Sequence, residues 1–156
     1  ENCTNYGNVS SNDTIDGRNI GGIVGYMDCG TVRNCNNTGS VAAATTYAGG
    51  IVGREVTSGV IETCSNSGAV SAVTSTAGGV CGFFQAGSIT KCSNSGPVSG
   101  KDYIAGIVAD SPGDATIKGD SETYCLNSGK ITATGTFVGG VAAYAENATI
   151  KAIKVN

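Results

Sequence analysis

The sequence contains no histidine, which removes the commonest general base and the commonest nitrogen ligand for zinc. Any catalysis would have to rely on carboxylates or lysines, because triads of the Ser-His or Cys-His kind are out of reach. Charge is scarce as well. Asp, Glu, Lys and Arg make up 13% of the 156 residues, well below the roughly 25% of an average domain. The three arginines (Arg18, Arg33, Arg54) and six lysines are scattered, and the formal net charge is −3. A nucleic-acid partner is therefore not expected, since tracking phosphates needs clustered cations. No apolar run is long enough to cross a membrane, so no membrane insertion is expected. A heptad or 3.6-residue apolar pattern is also missing, which disfavours helices. No secretion or sorting signal is visible. The opening residues Glu1-Asn2-Cys3 already lie inside a repeat, so the chain is expected to be a fragment of a longer protein.

Glycine is abundant instead, with 25 in 156 residues against roughly 7% in average proteins. Low charge with many Ser, Thr, Asn and Gly would suit a disordered chain, but regularly spaced Val and Ile argue against one. Two signatures recur. Cys-x-Asn-x-Gly-x-Val/Ile starts at Cys3, Cys35, Cys64, Cys92 and Cys125. A glycine-flanked apolar pair spans Gly21–Gly25, Gly49–Gly53 and Gly78–Gly82, then returns in degraded form at Ala105–Ala109 and Gly139–Ala143. Gly30-Thr-Val32, Gly59-Val-Ile61, Gly87-Ser-Ile89, Ala115-Thr-Ile117 and Ala148-Thr-Ile150 close the units. Successive cysteines stand 32, 29, 28 and 33 residues apart, the mark of a repeat architecture. The units run from about 3 to 34, 35 to 63, 64 to 91, 92 to 124 and 125 to 156, in a single repeat domain.

In the third unit, period-2 alternation turns Cys64, Asn66, Val70 and Ala72 to one side and Ser65, Ser67, Ala69 and Ser71 to the other. Asn66 on the inner side must be hydrogen-bonded. Stacked with Asn5, Asn37, Asn94 and Asn127, it can bond to its counterparts above and below. Thr76–Gly82 reads as a second strand and Gly87–Lys91 as a third. Three short strands joined by tight bends describe one turn of a parallel β-helix, an all-β solenoid of about five turns. A propeller blade needs about 40 residues and four strands, so it fits less well. Seven cysteines cannot all pair internally. Stacking would make Cys3, Cys35, Cys64, Cys92 and Cys125 an internal ladder of small apolar thiols. Neighbouring turns, about 4.8 Å apart, leave bridging geometrically open. Without Cys-x-x-Cys spacing a zinc site has little to build on. The fourth unit is lengthened at Asp110–Asp114 and Lys118–Glu122, and the first at Ser11–Arg18, where insertions read as surface loops. The tail Lys151–Asn156 alternates weakly, as an edge strand would.

The Gly-Ile-Val-Gly quartets at Gly22–Gly25 and Gly50–Gly53, each followed by Gly-x-Val/Ile and then Cys-x-Asn-x-Gly, resemble the GLUG-type repeats of bacterial surface proteins. Such repeats also flank the catalytic domains of IgA-specific metallopeptidases. The resemblance spans all five units and implies an extracellular, non-catalytic module of an adhesin-like or protease-associated protein. It transfers no functional residues and no cofactor.

Among possible sites, Asp110, Asp114 and Asp120 form a weak Ca²⁺ candidate through oxygen ligands, and Asp13 and Asp16 a similar pair. The plainer reading is solvated loop acids. Two residues before each glycine pair stand Asn19, Tyr47, Thr76, Tyr103 and Phe137. Alternation turns that column outward, so Tyr47, Tyr103 and Phe137 would form a lateral stripe able to stack on sugars or enter a partner surface. Shielding of the sheet is the alternative. Tyr26, Phe83, Phe84 and Tyr144 are expected to pack at the following corner. An ice-binding face would need an unbroken Thr ladder, but Thr46, Ser75 and Thr136 are interrupted by Arg18 and Asp102. The expected function is a rigid stalk or adhesive module on the bacterial cell surface, touching a host glycan or surface protein and flanking parts of its own chain. A carbohydrate-binding or carbohydrate-active β-helix is the alternative. A module that associates end to end into filaments is a third, since open end turns expose strand edges.

Overall fold

The structure, a computed structural model, describes residues 1–13 and 19–156. Asp16 and Arg18 lie outside the described residues. Among those described there is no helix, only 24 short strands in four parallel sheets of six, five, five and eight strands. Gly and β-branched residues dominate the units, and Val, Ile and Thr suit a pleated, half-buried surface. No unit buries its own apolar side alone, so units stack.

The third unit carries strands Ser65–Asn66, Val70–Ala72, Ala77–Gly78, Cys81–Phe84 and Gly87–Thr90. The three expected strands are thus subdivided into five. The first is cut at the bend around Gly68, and the second at the glycine pair Gly78-Gly79. In the first two units the last two segments run together as Val24–Arg33 and Val52–Glu62. Each strand pairs in parallel with its counterpart one unit away, and like sits on like. Val9, Val41, Val70, Val98 and Ile131 form one column. Val32, Ile61, Ile89, Ile117 and Ile150 form another. The tail strand Ile153–Val155 begins a sixth turn, with Ile153 in the cysteine position and Val155 in the asparagine position.

The asparagine column is hydrogen-bonded throughout. Asn5 donates from Nδ2 to Oδ1 of Asn37 at 2.8 Å, Asn37 to Asn66 at 2.8 Å, Asn66 to Asn94 at 2.8 Å and Asn94 to Asn127 at 2.9 Å. The second amide hydrogen of Asn37, Asn66 and Asn94 goes to the carbonyl two residues on, at Gly39, Gly68 and Gly96, each at 2.8 Å. One amide therefore holds its own bend and its neighbour at once. The second glycine of each pair packs on this column. A Cβ at Gly50 would lie 2.4 Å from Cγ of Asn66, and one at Gly79 would lie 2.4 Å from Cγ of Asn94. That contact ties the first strand to the glycine pair across the section, and the apolar interior falls into two clusters. One gathers Ile51, Ile61, Phe84, Ile89, Ile107 and Ile117 with the inner cysteines. The other gathers Val41, Ala48, Val70, Ala77, Val98 and Ile104. Burying a side chain of this size is worth roughly 1.5–3 kcal/mol, more than the net value of one hydrogen bond. Apolar burial carries the stability, and the amides select the register.

All seven cysteines are free thiols in the structure; Cys3 and Cys29 are exposed and the other five buried. In the ladder, Sγ of Cys35, Cys64 and Cys92 donates to the carbonyl two residues before it, at 3.2 to 3.3 Å. Burial pushes the thiols of Cys35 and Cys125 up, and that of Cys81 far up.

Two outcomes follow from this packing. Asn66→Ala leaves the amide of Asn37 and the carbonyl of Gly68 without their partner, and should lower unfolding stability by about 2–4 kcal/mol in urea titrations. Asn5→Ala, at the exposed end of the column, should cost markedly less. A thiol reagent should modify Cys3 and Cys29 quickly in the native protein and the five buried thiols only on unfolding.

Candidate binding surface

The outer surface is organised by the glycine pairs. A Cβ on Gly49 would lie 1.8 Å from the carbonyl oxygen of Val52, and Gly21, Gly78 and Gly139 make the same close approach at 1.8 to 2.0 Å. The chain folds back sharply at each pair. Residues before and after it consequently face one another across a lateral notch. The register stacks Asn19, Tyr47, Thr76, Tyr103 and Phe137 on one wall. It stacks Tyr26, Arg54, Phe83, Asp110 and Tyr144 on the other.

The walls interlock as an aromatic seam. Tyr47 does not meet Tyr103; its ring packs on Phe83, with centroids 4.9 Å apart and planes tilted by 54°. The Arg54 guanidinium lies over both rings, 5.4 Å from Tyr47 and 5.1 Å from Phe83. Tyr103 and Phe137 stack at 4.7 Å with 14° between planes, and Tyr144 stands edge-on to both at 6.2 and 6.1 Å. Thr76 lies buried beneath. Of the proposed stripe, the structure thus joins Tyr103 to Phe137 and assigns Tyr47 to a separate cluster. Tyr47 and Tyr103 are half-buried and Phe137 is 48% exposed.

Sequence reasoning missed the second wall. Phe84 is fully buried in the core, while Tyr26, Phe83 and Tyr144 belong to the outer column with Arg54 and Asp110. A signal was present. Each of these five residues directly follows the Gly or Ala that closes the second signature. Tyr103 and Phe137 also adopt left-handed φ angles of 52° and 56°, unusual for bulky side chains. The seam rings are therefore held at some conformational cost.

Two charges on this seam are unmatched. The buried Nε of Arg54 has no hydrogen-bond partner, and among the described residues neither Arg54 nor Asp110 takes part in an ion pair. Burial pushes the Asp110 carboxyl up. The Tyr47 hydroxyl is raised by burial and then by the Asp110 charge, and Tyr144 by its hydrogen bond to Glu146.

The calcium candidate does not assemble. Asp120 accepts N–H bonds from Glu122 and Thr123 at 3.0 and 2.7 Å and pairs with Lys91 at 2.6 Å, which holds its carboxyl well below the usual range. Asp114 is exposed in a turn, and Asp110 lies in the seam. Among the described residues no group of three His, Cys, Asp or Glu is placed to hold a metal ion. Glu55 is fully buried, but its oxygens accept the N–H groups of Thr57 and Ala86 at 2.8 and 3.1 Å, so it braces a corner.

Residues 16–42 match the family model of the GLUG motif. No curated protein and no solved structure matches the chain.

The buried carboxyl sets a pH signature. Its folded-state pKa lies above the unfolded value, so stability falls as pH rises through the interval between the two and stays lowered at neutral pH. Asp110→Asn should therefore stabilise dilute protein at pH 7 by on the order of 1 kcal/mol or less, read as a higher melting temperature, because the carboxyl keeps part of its hydration. Below about pH 3, where Asp is protonated in both states, parent and variant should melt together.

Proposed function

We propose that this GLUG-repeat β-solenoid is a non-catalytic module of a bacterial cell-surface protein, a short stiff stalk segment that displays its lateral face outside the cell. The observation that carries the reading is the unbroken asparagine column, which keeps five units in one register from Asn5 to Asn127. At about 4.8 Å per turn, five turns rise only about 24 Å, so such a module gains reach by adding repeats. Stability comes from turn-on-turn contact, and side chains on the outside are consequently held at fixed spacing. The absence of histidine from the sequence fits a structural role, since acid–base work would fall to scattered carboxylates and lysines.

Carbohydrate binding is the second reading, and the ring-rich seam is the observation that favours it. Against it, Tyr103 and Phe137 cover one face of each other, leaving less open ring for a sugar. Two measurements separate these readings. An antibody to the chain should label intact cells of the organism that makes it, and labelling only after permeabilisation overturns the surface role. On a glycan array the chain should bind nothing. Binding that disappears in Tyr47→Ala or Tyr103→Ala would move it to the carbohydrate-binding class.

A further inference from the structure

Arg54 and Asp110 stand in one column with Phe83 between them, two turns apart, or roughly 10 Å. Among the described residues they do not pair with each other, and each is half-buried without an ion-pair partner. The order along the column matters. It runs Tyr26, Arg54, Phe83, Asp110, Tyr144: ring, cation, ring, anion, ring. Reversed end for end, rings fall on rings and the cation falls on the anion. On the facing wall Tyr47 exchanges with Tyr103 and Thr76 falls on itself, while Asn19 and Phe137 exchange at the ends.

We propose that the seam is an interface with a second copy of this chain. The two copies lie side by side and antiparallel about a two-fold axis that crosses the third unit at right angles to the solenoid axis. Arg54 of each copy then meets Asp110 of the other, the reciprocal pattern of an isologous contact. A parallel pair would instead set Arg54 opposite the Tyr47 wall and leave both charges unmatched. A foreign partner would have to supply one cation and one anion at this spacing in the opposite order, and this chain already carries them. The raised Asp110 carboxyl fits a group that waits for a cation. Phe83 is only 8% exposed, so the contact is made by the rim of Arg54, Asp110 and the flanking tyrosines rather than by ring on ring. Five turns present a short face, which places the pair among weak associations, with dissociation constants of roughly 10–500 µM. The pairing goes beyond the stalk role and stands or falls separately, because it leaves both solenoid ends uncovered.

Sedimentation equilibrium of the full chain from about 10 µM to about 1 mM tests it. The parent should pass from monomer to dimer and stop there. R54E and D110R should each weaken association at least tenfold, because two attractive contacts become repulsive. An equimolar mixture of the two variants should recover dimers, since the introduced glutamate faces the introduced arginine and the remaining Arg54 faces the remaining Asp110. A parent that stays monomeric, growth beyond the dimer, dimers that survive either reversal, or a mixture that stays monomeric would each overturn the proposal. Circular dichroism reports whether the reversals fold. Should they not, R54Q and D110N decide: each should weaken the dimer, and parent-like association in either overturns it.

Discussion

The hydrogen bond from one asparagine amide to the next is the constraint from which the rest of the structure follows. An amide offers two donor hydrogens and an acceptor oxygen, so each member of a column can bond to its neighbour and still hold a second carbonyl, whereas a hydroxyl has a single hydrogen and a carboxylate none. Because Nδ2 also holds the carbonyl of the following glycine, the bend in each unit is set by the same side chain that sets the stacking. The glycine pair completes the arrangement. Any Cβ at Gly50 or Gly79 would occupy the space of the amide. The two signatures, far apart along each unit, thus read as the two halves of one contact.

This explains why the fold was legible and the surface only partly so. Inward positions repeat because each has a like neighbour above and below, so the Cys, Asn, Val and Gly columns stand out in the sequence. Local rules also placed the bends, since Asn-x-Gly and Gly-Gly break strands wherever they occur. The finer division into five strands escaped notice because period-2 alternation runs through the Gly68 bend without a change of phase. The lateral seam was half legible. Tyr47, Tyr103 and Phe137 stood out as aromatics at one offset, but their neighbours depend on how sharply the chain folds back at Gly49 and its equivalents. That angle follows from a backbone contact between Gly49 and Val52, which no pattern of side chains announces. Arg54 and Asp110 were hidden for a further reason. At their position the residue type changes from each turn to the next, so recurrence does not mark it.

That lack of recurrence is informative in physical terms. Inside, each turn constrains the next; outside, the column after the glycine closure carries Tyr26, Arg54, Phe83, Asp110 and Tyr144 in succession. Identity is demanded where groups must bond to copies of themselves, and variety is tolerated where they meet something else. The half-buried carboxyl of Asp110 and the left-handed backbone at Tyr103 and Phe137 each carry a free-energy cost on this face. A solenoid of this kind separates its constraints by direction, with cohesion along the axis and a lateral face free to vary.

Side-chain amide hydrogen exchange tests the self-satisfying asparagine column most directly. In NMR exchange experiments the Nδ2 hydrogens of Asn37, Asn66 and Asn94 should exchange as slowly as the best-protected backbone amides, opening only with global unfolding. Those of exposed Asn147 should exchange at once. If the three buried amides exchanged as fast as Asn147, they would not be bonded to one another, and the account of how the units hold their register would be wrong.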